Sequence, residues 1–260
     1  MTQTAPVQPL DCDATTPSLL FFTLHKCASA LFSTFILRRI PGLEHCDYSR
    51  QAHVGELAGP VQFDWTGKVY GPLRLSTPRH LPEYQCVLKP LFQSETLATR
   101  RALLFVRDPR DVLLSYYKYI RTKTDFSPSA VTREDQQRSS QLAQRLDLDE
   151  WVLQESPFWR ESFEQALELM RTMPQLRLLR YEDMIDDWPA FETQLTDALE
   201  LDAKSMAHVR AQTRPNAVEE PGAHKRSGRT GQFREAYAPE VIAQINHDFA
   251  HVLRALRYPI

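Results

Sequence analysis

The sequence predicts an α/β protein: one domain in which helices flank a parallel β-sheet. Short apolar runs of strand length recur along the chain, and stretches with helical spacing of apolar residues follow them. The runs contain few polar residues, as expected of strands that helices cover on both faces. With 260 residues the chain can bury one large core. We therefore expect a single domain over residues 18–260, preceded by a flexible N-terminus at residues 1–17.

Four segments are predicted to be strands. Residues 18–24 and 102–106 are rich in apolar side chains, and residues 176–181 continue the pattern. Residues 85–91 form another candidate, which Pro90 should end because proline has no N–H for a neighbouring strand. Strands that alternate with helices in this way indicate parallel pairing.

Apolar spacing predicts six helices between and after these strands. Asp108 is a natural N-cap, and Pro109 suits the first turn of the helix after the strand at 102–106. We expect the polar residues 121–144 to form a mobile flap and residues 212–232 a long functional loop. The predicted helices cover residues 29–40, 111–120, 149–154, 158–173, 189–201 and 239–256.

Composition excludes several classes of protein. The net charge of −2 provides no basic field for nucleic acid or an anionic membrane. No apolar run reaches the roughly 18 residues that a membrane span requires, and no signal peptide is visible. The four cysteines show neither a CxxC spacing nor a histidine cluster at zinc-ligand spacing. We therefore expect free thiols in the cytoplasm and no bound metal.

The segment after the first predicted strand has the composition of an anion site. Backbone N–H groups at the start of a helix attract anions, and the helix dipole adds to the effect. Lys26 contributes a mobile positive charge and Ser29 a hydroxyl. An ordinary strand–helix connection with a surface lysine is the competing interpretation. The sequence GxxxxGK[ST] is absent, which argues against an ATPase or GTPase.

A second candidate anion site follows the strand at residues 102–106. Arg107 ends that strand, where open α/β sheets bind their ligands. Ser115 lies eight residues further on, so two helical turns can bring its hydroxyl back toward the strand end. A guanidinium and a hydroxyl that converge in this way suit a phosphate. Alternatively, Arg107 only caps the sheet edge, and Arg110 pairs with Asp111 or a nearby glutamate.

The basic segment from His224 to Arg234 is a third candidate. It contains four Lys or Arg residues and no acid. Gly228 and Gly231 allow the backbone to approach an anion closely. A solvated charged loop is the usual alternative, but an isolated basic segment in a net-acidic chain favours a local anion.

Together these segments resemble the PAPS-dependent sulfotransferases, which move a sulfuryl group from 3′-phosphoadenosine-5′-phosphosulfate (PAPS) to a hydroxyl or amine. That family has a lysine-containing loop after its first strand and an Arg and a Ser eight residues apart in a stretch similar to RDPRDVLLSYY. A Tyr-Glu-Asp sequence and a late basic loop with glycines complete its pattern. The matching positions are residues 26–30, Arg107, Ser115, residues 181–183 and residues 226–234. The resemblance implies a P-loop NTPase-like sulfotransferase architecture.

The resemblance also implies roles for individual residues. Lys26 would stabilise charge on the bridging oxygen, and Tyr181 would lie along the adenine. No metal is required. Backbone N–H groups would hold the 5′-phosphosulfate at Cys27, Ala28, Ser29, Ala30 and Leu31. The 3′-phosphate would be held by Arg107, Ser115, Arg226, Ser227 and Gly228.

The sequence departs from the family at three places. The family has Gly at the position of Ala28 and a hydroxyl residue at that of Ala30. Its cytosolic branch carries Lys-x-His on the second strand, which matches Lys89 but places Leu91 at the histidine. Lys89 would then assist at the sulfonate, and the general base must come from elsewhere.

Two residues are the main candidates for that base. Asp47 matches by spacing a carboxylate that the protein-tyrosine branch uses. His53 has an ordinary pKa near 6.5, suitable for a base at neutral pH. His45, Glu56 and His80 are further candidates, and for each a surface or structural role is the alternative.

The sequence therefore predicts a cytoplasmic sulfotransferase that releases 3′,5′-bisphosphoadenosine (PAP). We expect a small-molecule or carrier-tethered acceptor, and no nucleic-acid or membrane partner. One alternative is a non-catalytic nucleotide-binding protein of the same fold, which Ala28, Ala30 and the missing histidine favour. A P-loop-like nucleotide kinase is another, opposed by the missing Walker A sequence and the missing carboxylate pair for magnesium. The sequence specifies neither the acceptor nor the oligomeric state.

Overall fold

Five strands form the centre of the fold in a computed structural model, which describes residues 17–35, 37–39, 43–201, 203, 206–207 and 229–260. In chain order they are β1 (Leu19–Thr23), β2 (Glu44–Cys46), β3 (Lys68–Arg74), β4 (Arg101–Val106) and β5 (Leu176–Arg180). Across the sheet the order is β2-β3-β1-β4-β5, and every adjacent pair is parallel. The predicted α/β class with a parallel sheet flanked by helices is confirmed.

Helices cover both faces of the sheet. Short 3-10 turns lie at Leu37–Arg39 and Leu97–Thr99, and a π-helical segment at Tyr84–Leu88 leads directly into the third α-helix. The α-helices are α1 (Ser29–Phe35), α2 (Tyr48–Val54), α3 (Lys89–Phe92), α4 (Pro109–Arg121), α5 (Ala130–Arg145), α6 (Leu148–Thr172), α7 (Tyr181–Asp186), α8 (Trp188–Leu199), α9 (Phe233–Ala236), α10 (Pro239–Asp248) and α11 (Ala250–Ala255).

Two clusters of buried side chains hold the layers together, one on each face of the sheet. On one face, Phe32 of α1 stacks on Phe21 and Phe105, with ring centroids 4.9 and 4.5 Å away. On the other face, Trp151 and Trp159 of α6 are fully or almost fully buried. Burial of one such ring contributes about 1.5–3 kcal/mol. The two layers fix where each strand ends, and thus where the turns after the strands lie.

The register brings four strand ends to one edge. Thr23 is paired with Arg74 of β3 on one side and with Phe105 of β4 on the other. Val106 is paired with Arg180 of β5. Residues that directly follow β1, β3, β4 and β5 therefore share the carboxyl edge, where open α/β sheets bind ligands.

Most predicted helices are confirmed, with different boundaries. The helix at 111–120 is the longer α4, and the segments at 149–154 and 158–173 form the single helix α6, which contains Pro157. The segment at 239–256 is divided into α10 and α11.

The prediction of a mobile flap at residues 121–144 is wrong for most of that segment. It contains α5, whose Ser140 and Ala143 are buried. The helix turns a few small or apolar side chains inward and leaves its many charged ones in solvent, so its low apolar content concealed it.

The prediction of a strand at residues 85–91 is also wrong. This segment is the π-helical turn and α3, and its buried side chains Val87, Leu88 and Leu91 have helical spacing. The strand next to β1 is β3 instead, which contains Gly71 and Pro72. A register shift in the β1–β3 pairing lies beside them, and such an irregularity lets a strand accommodate proline.

Two sequence predictions fall largely or wholly outside the described residues. Of the N-terminal segment 1–17, the structure describes only Pro17, which forms an isolated bridge with Thr66. Of the predicted loop at 212–232, it describes residues 229–232. Arg226, Ser227 and Gly228 lie in the part that is not described.

Candidate active site

The turn between β1 and α1 has an unusual backbone. Lys26 and Ala28 both have positive φ angles, 64° and 56°, in the left-handed region. Alternation of left-handed and ordinary residues points successive N–H groups toward one place, which creates an anion-binding concavity. The first backbone bond of α1 runs from the Phe32 N–H to the Ala28 carbonyl, at 3.1 Å. The N–H groups of Ser29, Ala30 and Leu31 therefore have no acceptor within the helix.

Cys27 anchors this turn but has no reactive thiol. Its side chain is fully buried, and burial raises the pKa of the thiol to about 12. A thiol that stays protonated is a poor nucleophile. Cys27 therefore offers the site its backbone N–H, and its side chain belongs to the core.

Lys26 extends from the turn toward helix α4. Its ammonium nitrogen lies 4.2 Å from the centroid of the Tyr119 ring, and that of Lys123 lies 5.2 Å from the same centroid. Cations over an aromatic face are attracted by its negative quadrupole. One ring thus gathers two positive charges beside the β1 turn.

Arg107 occupies the end of β4, as predicted, and is 8% exposed. Its guanidinium carbon lies 4.7 Å from the centroid of the Tyr181 ring, and its Nη2 lies 3.6 Å from Oδ2 of Asp111. The buried Nε has no hydrogen-bond partner among the described residues. Because a buried donor without a partner is costly, this guanidinium is suited to an anion that approaches from the carboxyl edge.

One face of α4 connects the Arg107 region (Arg107, Asp111 and Tyr181) with the Lys26 region (Lys26 and its neighbours Tyr119 and Lys123). Asp111, Ser115 and Tyr119 are spaced four residues apart, so they lie on the same side of the helix. Asp111 contacts Arg107 at one end of this row, and Tyr119 contacts Lys26 at the other. Ser115 is half-buried and lies between them. The predicted pairing of Arg107 and Ser115 on one side of the molecule is compatible with this placement.

Arg110 is part of the scaffold around the site. It is 2% exposed, and its guanidinium donates two hydrogen bonds to Asp108, at 2.9 and 2.6 Å. It also donates to Asn246 and to the carbonyl of Pro259. The alternative in which Arg110 pairs with Asp111 is wrong, since its carboxylate partner is Asp108 and the Asp111 carboxylate pairs with Arg107.

Glu182 secures the turn between β4 and α4. Its carboxylate accepts hydrogen bonds from the Asp108 N–H at 2.9 Å and from the Tyr258 hydroxyl at 2.7 Å. Burial raises the pKa of Glu182 to about 7, and the two hydrogen bonds oppose that rise. The Tyr-Glu-Asp sequence after β5 thus fixes the backbone beside Arg107.

The candidate base His53 lies near the Lys26 region. It is an exposed residue in the last turn of α2, and its carbonyl accepts a hydrogen bond from the Ser127 hydroxyl at 2.7 Å. Partial burial lowers the pKa of His53, as do the positive charges of Lys123 and Arg74, while Asp125 opposes them. An imidazole with a lowered pKa stays neutral at neutral pH and can accept a proton.

Asp47 serves as the N-cap of α2. Its carboxylate accepts a hydrogen bond from the Arg50 N–H at 3.1 Å. The same arrangement is common at helix starts and stabilises them by about 1 kcal/mol. This structural role accounts for the position of Asp47 beyond the edge strand β2.

Each of the three other base candidates has different surroundings. His80 pairs with Asp135, at 2.8 Å between Nε2 and Oδ2. His45 lies on β2, where burial and the charge of Arg38 lower its pKa. Glu56 is exposed just after α2.

Lys89 is not brought to the site by a strand. It begins α3, is exposed, and its ammonium lies 3.5 Å from Oε1 of Gln85 one turn earlier. The predicted match of Lys89 to the second-strand lysine of the cytosolic branch is wrong, because this segment is helical. Arg74 ends the strand that does adjoin β1, and it pairs with Glu83 at 3.6 Å.

His25 is a further site residue that the sequence did not single out. Its N–H donates to the Ser76 hydroxyl at 2.8 Å, which ties the β1 turn to the segment after β3. Burial, followed by the charges of Arg74, Lys26 and His53, lowers the pKa of His25 to about 3. His25 is therefore neutral, and the positive charges of Arg74 and Lys26 lie beside it. A strand prediction at 68–74 would have revealed Arg74 and Ser76 as neighbours of this turn.

The described residues contain neither a cluster of metal ligands nor a membrane-spanning helix. No three His, Cys, Asp or Glu side chains gather there in a way that could hold a metal ion. In the same part of the chain, no helix has the length and apolar character needed to cross a membrane.

Comparison with known proteins identifies the family. The profile of the family described as "Sulfotransferase domain" matches residues 17–254. No curated protein matches the sequence. Mouse sulfotransferase SULT7A1, solved in complex with PAP, is similar in fold with 16% identity and a TM-score of 0.52, over 94% of this chain and 88% of that chain.

Two structures of retinol dehydratase have the same fold. One, in complex with androsterone and the inactive cofactor PAP, has 12% identity and a TM-score of 0.51 over 94% of this chain and 82% of that chain. The other, in a complex with retinol and PAP, has 15% identity and a TM-score of 0.52 over 94% and 84%. Because the family profile spans nearly all of the sequence, the chain belongs to the sulfotransferase family.

Proposed function

We propose that this protein transfers the sulfuryl group of PAPS to a hydroxyl or amine of a small-molecule or carrier-tethered acceptor and releases PAP. Membership of the sulfotransferase family supports the reaction. The observation that carries the choice of donor is the buried Arg107 guanidinium, whose Nε has no partner among the described residues. Arg107 lies at the same edge of the sheet as the Lys26 turn, and both contact the same face of α4. Two anionic groups of one nucleotide can therefore be held together.

The β1 turn would hold the 5′-phosphosulfate. The N–H groups of Cys27, Ala28, Ser29, Ala30 and Leu31 belong to a turn with two left-handed residues and to the first turn of α1. Such N–H groups donate to anionic oxygens.

The 3′-phosphate would be held by Arg107 and Ser115. The Tyr181 ring packs against the Arg107 guanidinium, so it would lie beside this phosphate and along the adenine. Arg226, Ser227 and Gly228 would complete the grip, as the family resemblance implies.

The transfer step follows from the charges around the β1 turn. The acceptor oxygen or nitrogen attacks the sulfur, a new bond to sulfur forms, and the bond from sulfur to the phosphate oxygen breaks in line with it. Lys26 stabilises the negative charge that develops on the leaving oxygen. His53 accepts the acceptor proton, because its imidazole is neutral at neutral pH.

Asp47 is the alternative base. Its Oδ1 already accepts the Arg50 N–H at the start of α2, so its other carboxylate oxygen would receive the proton. Lys89 has no place in this step, because it begins a surface helix.

The acceptor class is inferred from the family. The retinol dehydratase structures contain retinol or androsterone beside PAP, and both are small molecules. A carrier-tethered acceptor of similar size stays within the proposal. Cytoplasmic location is also part of it and rests on free thiols, which Cys27, Cys46 and Cys86 have.

Two measurements test the function. Calorimetry with purified protein should show that PAP binds more tightly than 5′-AMP, which lacks the 3′-phosphate. Incubation with PAPS labelled in the sulfuryl group and a panel of phenols, alcohols, sterols and amines should transfer the label. Equal affinity for PAP and 5′-AMP would overturn the proposed donor site. Tight PAP binding without transfer to any acceptor would favour the non-catalytic nucleotide-binding protein.

A further inference from the structure

Asp111 is a buried carboxylate that pairs with Arg107 and also accepts two backbone hydrogen bonds. Its side chain is fully buried on α4, one turn beyond the strand end. One oxygen, Oδ2, accepts the Gly231 N–H at 2.7 Å and lies 3.6 Å from Nη2 of Arg107. The other oxygen, Oδ1, accepts the Phe233 N–H at 3.1 Å. One carboxylate thus contacts both the strand-end arginine and the late segment, residues 231–238, which begins within the basic segment.

The contacts of Asp111 leave Arg107 only partly satisfied. Asp111 neutralises the guanidinium from one side, and Tyr181 covers it with its ring. The Nε remains without a partner among the described residues although Arg107 is 8% exposed. The carboxylate therefore orients the guanidinium without occupying all its donors, which leaves hydrogen-bonding capacity for a ligand.

Gly231 has the backbone conformation that this contact requires. Its φ is 67°, in the left-handed region, where residues other than glycine are strained. An added Cβ would also overlap the guanidinium of Arg234. The next residues turn into α9, whose Phe233 is buried and packs under the Arg110 guanidinium at 4.2 Å. The chain is thus shaped to present two N–H groups to one carboxylate.

A second aspartate provides a comparison. Asp149 of α6 accepts the Ala238 N–H through both oxygens, at 3.4 and 3.3 Å, seven residues after Gly231. It fastens the same late segment, but within the described part of the chain its hydrogen bonds do not involve Arg107. A general role in holding the late segment would be common to both aspartates, whereas a role in nucleotide binding would be specific to Asp111.

We infer that Asp111 is a positioning residue for the nucleotide: it couples the orientation of Arg107 to the anchoring of the late segment at Gly231 and Phe233. This inference rests on the proposed function. By the reciprocity of linked equilibria, nucleotide bound to Arg107 should stabilise the Gly231 anchor, and loss of the anchor should weaken nucleotide binding.

The test compares Asp111→Asn with the matched control Asp149→Asn. An asparagine has only one acceptor oxygen for the two N–H donors and cannot neutralise Arg107. We expect PAP affinity, measured by calorimetry, to fall about tenfold to a hundredfold in Asp111→Asn, within the usual range of coupling between sites. The KM for PAPS should rise by a similar factor with a smaller change in kcat. Asp149→Asn should bind PAP within about twofold of the wild type.

The possible outcomes separate failure of the inference from failure of the proposed function. Unchanged PAP affinity in Asp111→Asn, or an equal loss in both variants at similar melting temperatures, would overturn the inference. Failure of the wild-type protein to bind PAP would instead count against the proposed function itself. Should Asp111→Asn not fold, hydrogen exchange of the wild type decides: PAP must slow exchange at the Gly231 and Phe233 amides more than at the Ala238 amide. Equal protection at all three amides would overturn the inference.

Discussion

The Arg107 region and the Lys26 region lie on the same edge of the sheet but are built differently. Around Arg107 the charged groups are buried and paired: Asp108 with Arg110, and Asp111 with Arg107 and two backbone N–H groups. Around Lys26 the positive charges are half-buried or exposed, and they cluster near neutral imidazoles.

The difference corresponds to two tasks. A nucleotide phosphate is the same in every turnover, so a rigid buried network can be fixed in advance around it. The reacting end must admit an acceptor and respond to charge that develops during transfer, so it needs accessible cations and a neutral base. We therefore expect substitutions in the Arg107 region to change affinity and those in the Lys26 region to change turnover.

Arg107→Ala should have the largest effect on binding. Loss of a buried guanidinium that meets a phosphate, with Asp111 left unpaired, should weaken PAP binding by about 2–5 kcal/mol. Calorimetry measures this directly. The exposed Arg177 on β5 provides the control, and Arg177→Ala should leave the affinity unchanged. A PAP affinity in Arg107→Ala equal to that of the wild type would remove Arg107 from the site.

Lys26→Ala should reduce turnover rather than PAP affinity. Removal of a group that stabilises charge in the transition state typically costs about 10²–10³-fold in kcat. The assay is transfer of label from PAPS at saturating donor. Lys89→Ala is the counterpart, because Lys89 is an exposed residue at the start of α3, and the rate of this variant should stay within about twofold of the wild type. A similar loss in both variants, or none in Lys26→Ala, would contradict the division between the two regions.

His53→Gln should reduce the rate by about a hundredfold, the lower end of general-base effects, because the residue is exposed. The pKa of His53 is lowered, so the wild-type rate should be constant near neutral pH and fall only at a pH below the ordinary imidazole range, where the ring becomes protonated. That acid limb should be absent from His53→Gln. If it persists unchanged, the base is another group, with Asp47→Asn the next variant to measure.

Ala28→Gly should have the smallest effect and should increase stability. Ala28 has a φ of 56°, which costs an L-residue with a Cβ about 1–2 kcal/mol, whereas glycine adopts it freely. The greater entropy of glycine in the unfolded chain offsets part of this, so we expect a net gain of up to about 1 kcal/mol. Urea unfolding measures the change. Ala30→Gly, in the first turn of α1, is the control and should lower stability; a loss in both would contradict strain at Ala28.

The parts of the site that the sequence predicted are those with strong local signals. The strand at 102–106, the N-cap Asp108 and Pro109 define where α4 begins, and so where Arg107 lies. The apolar run before Lys26 likewise defines the β1 turn. In both cases a buried strand followed at once by a helix start leaves little freedom in the placement of the residue between them.

The other parts depend on contacts between distant segments. Gly71 and Pro72 conceal β3, because the register shift that accommodates them forms only against β1. Without β3, Arg74 could not be placed beside His25, and Lys89 was given the position of a strand residue. The link from Asp111 to Gly231 spans 120 residues and leaves no pattern in the sequence.

The aromatic side chains along α4 have a practical consequence for spectroscopy. The rings of Trp151 and Tyr116 are 6.0 Å apart, those of Tyr116 and Tyr119 are 6.2 Å apart, and Tyr119 carries the Lys26 ammonium over its face. The Lys26 ammonium is therefore separated from the buried Trp151 indole by two ring contacts. Intrinsic emission at tryptophan wavelengths offers a label-free optical signal for titrations at the β1 turn.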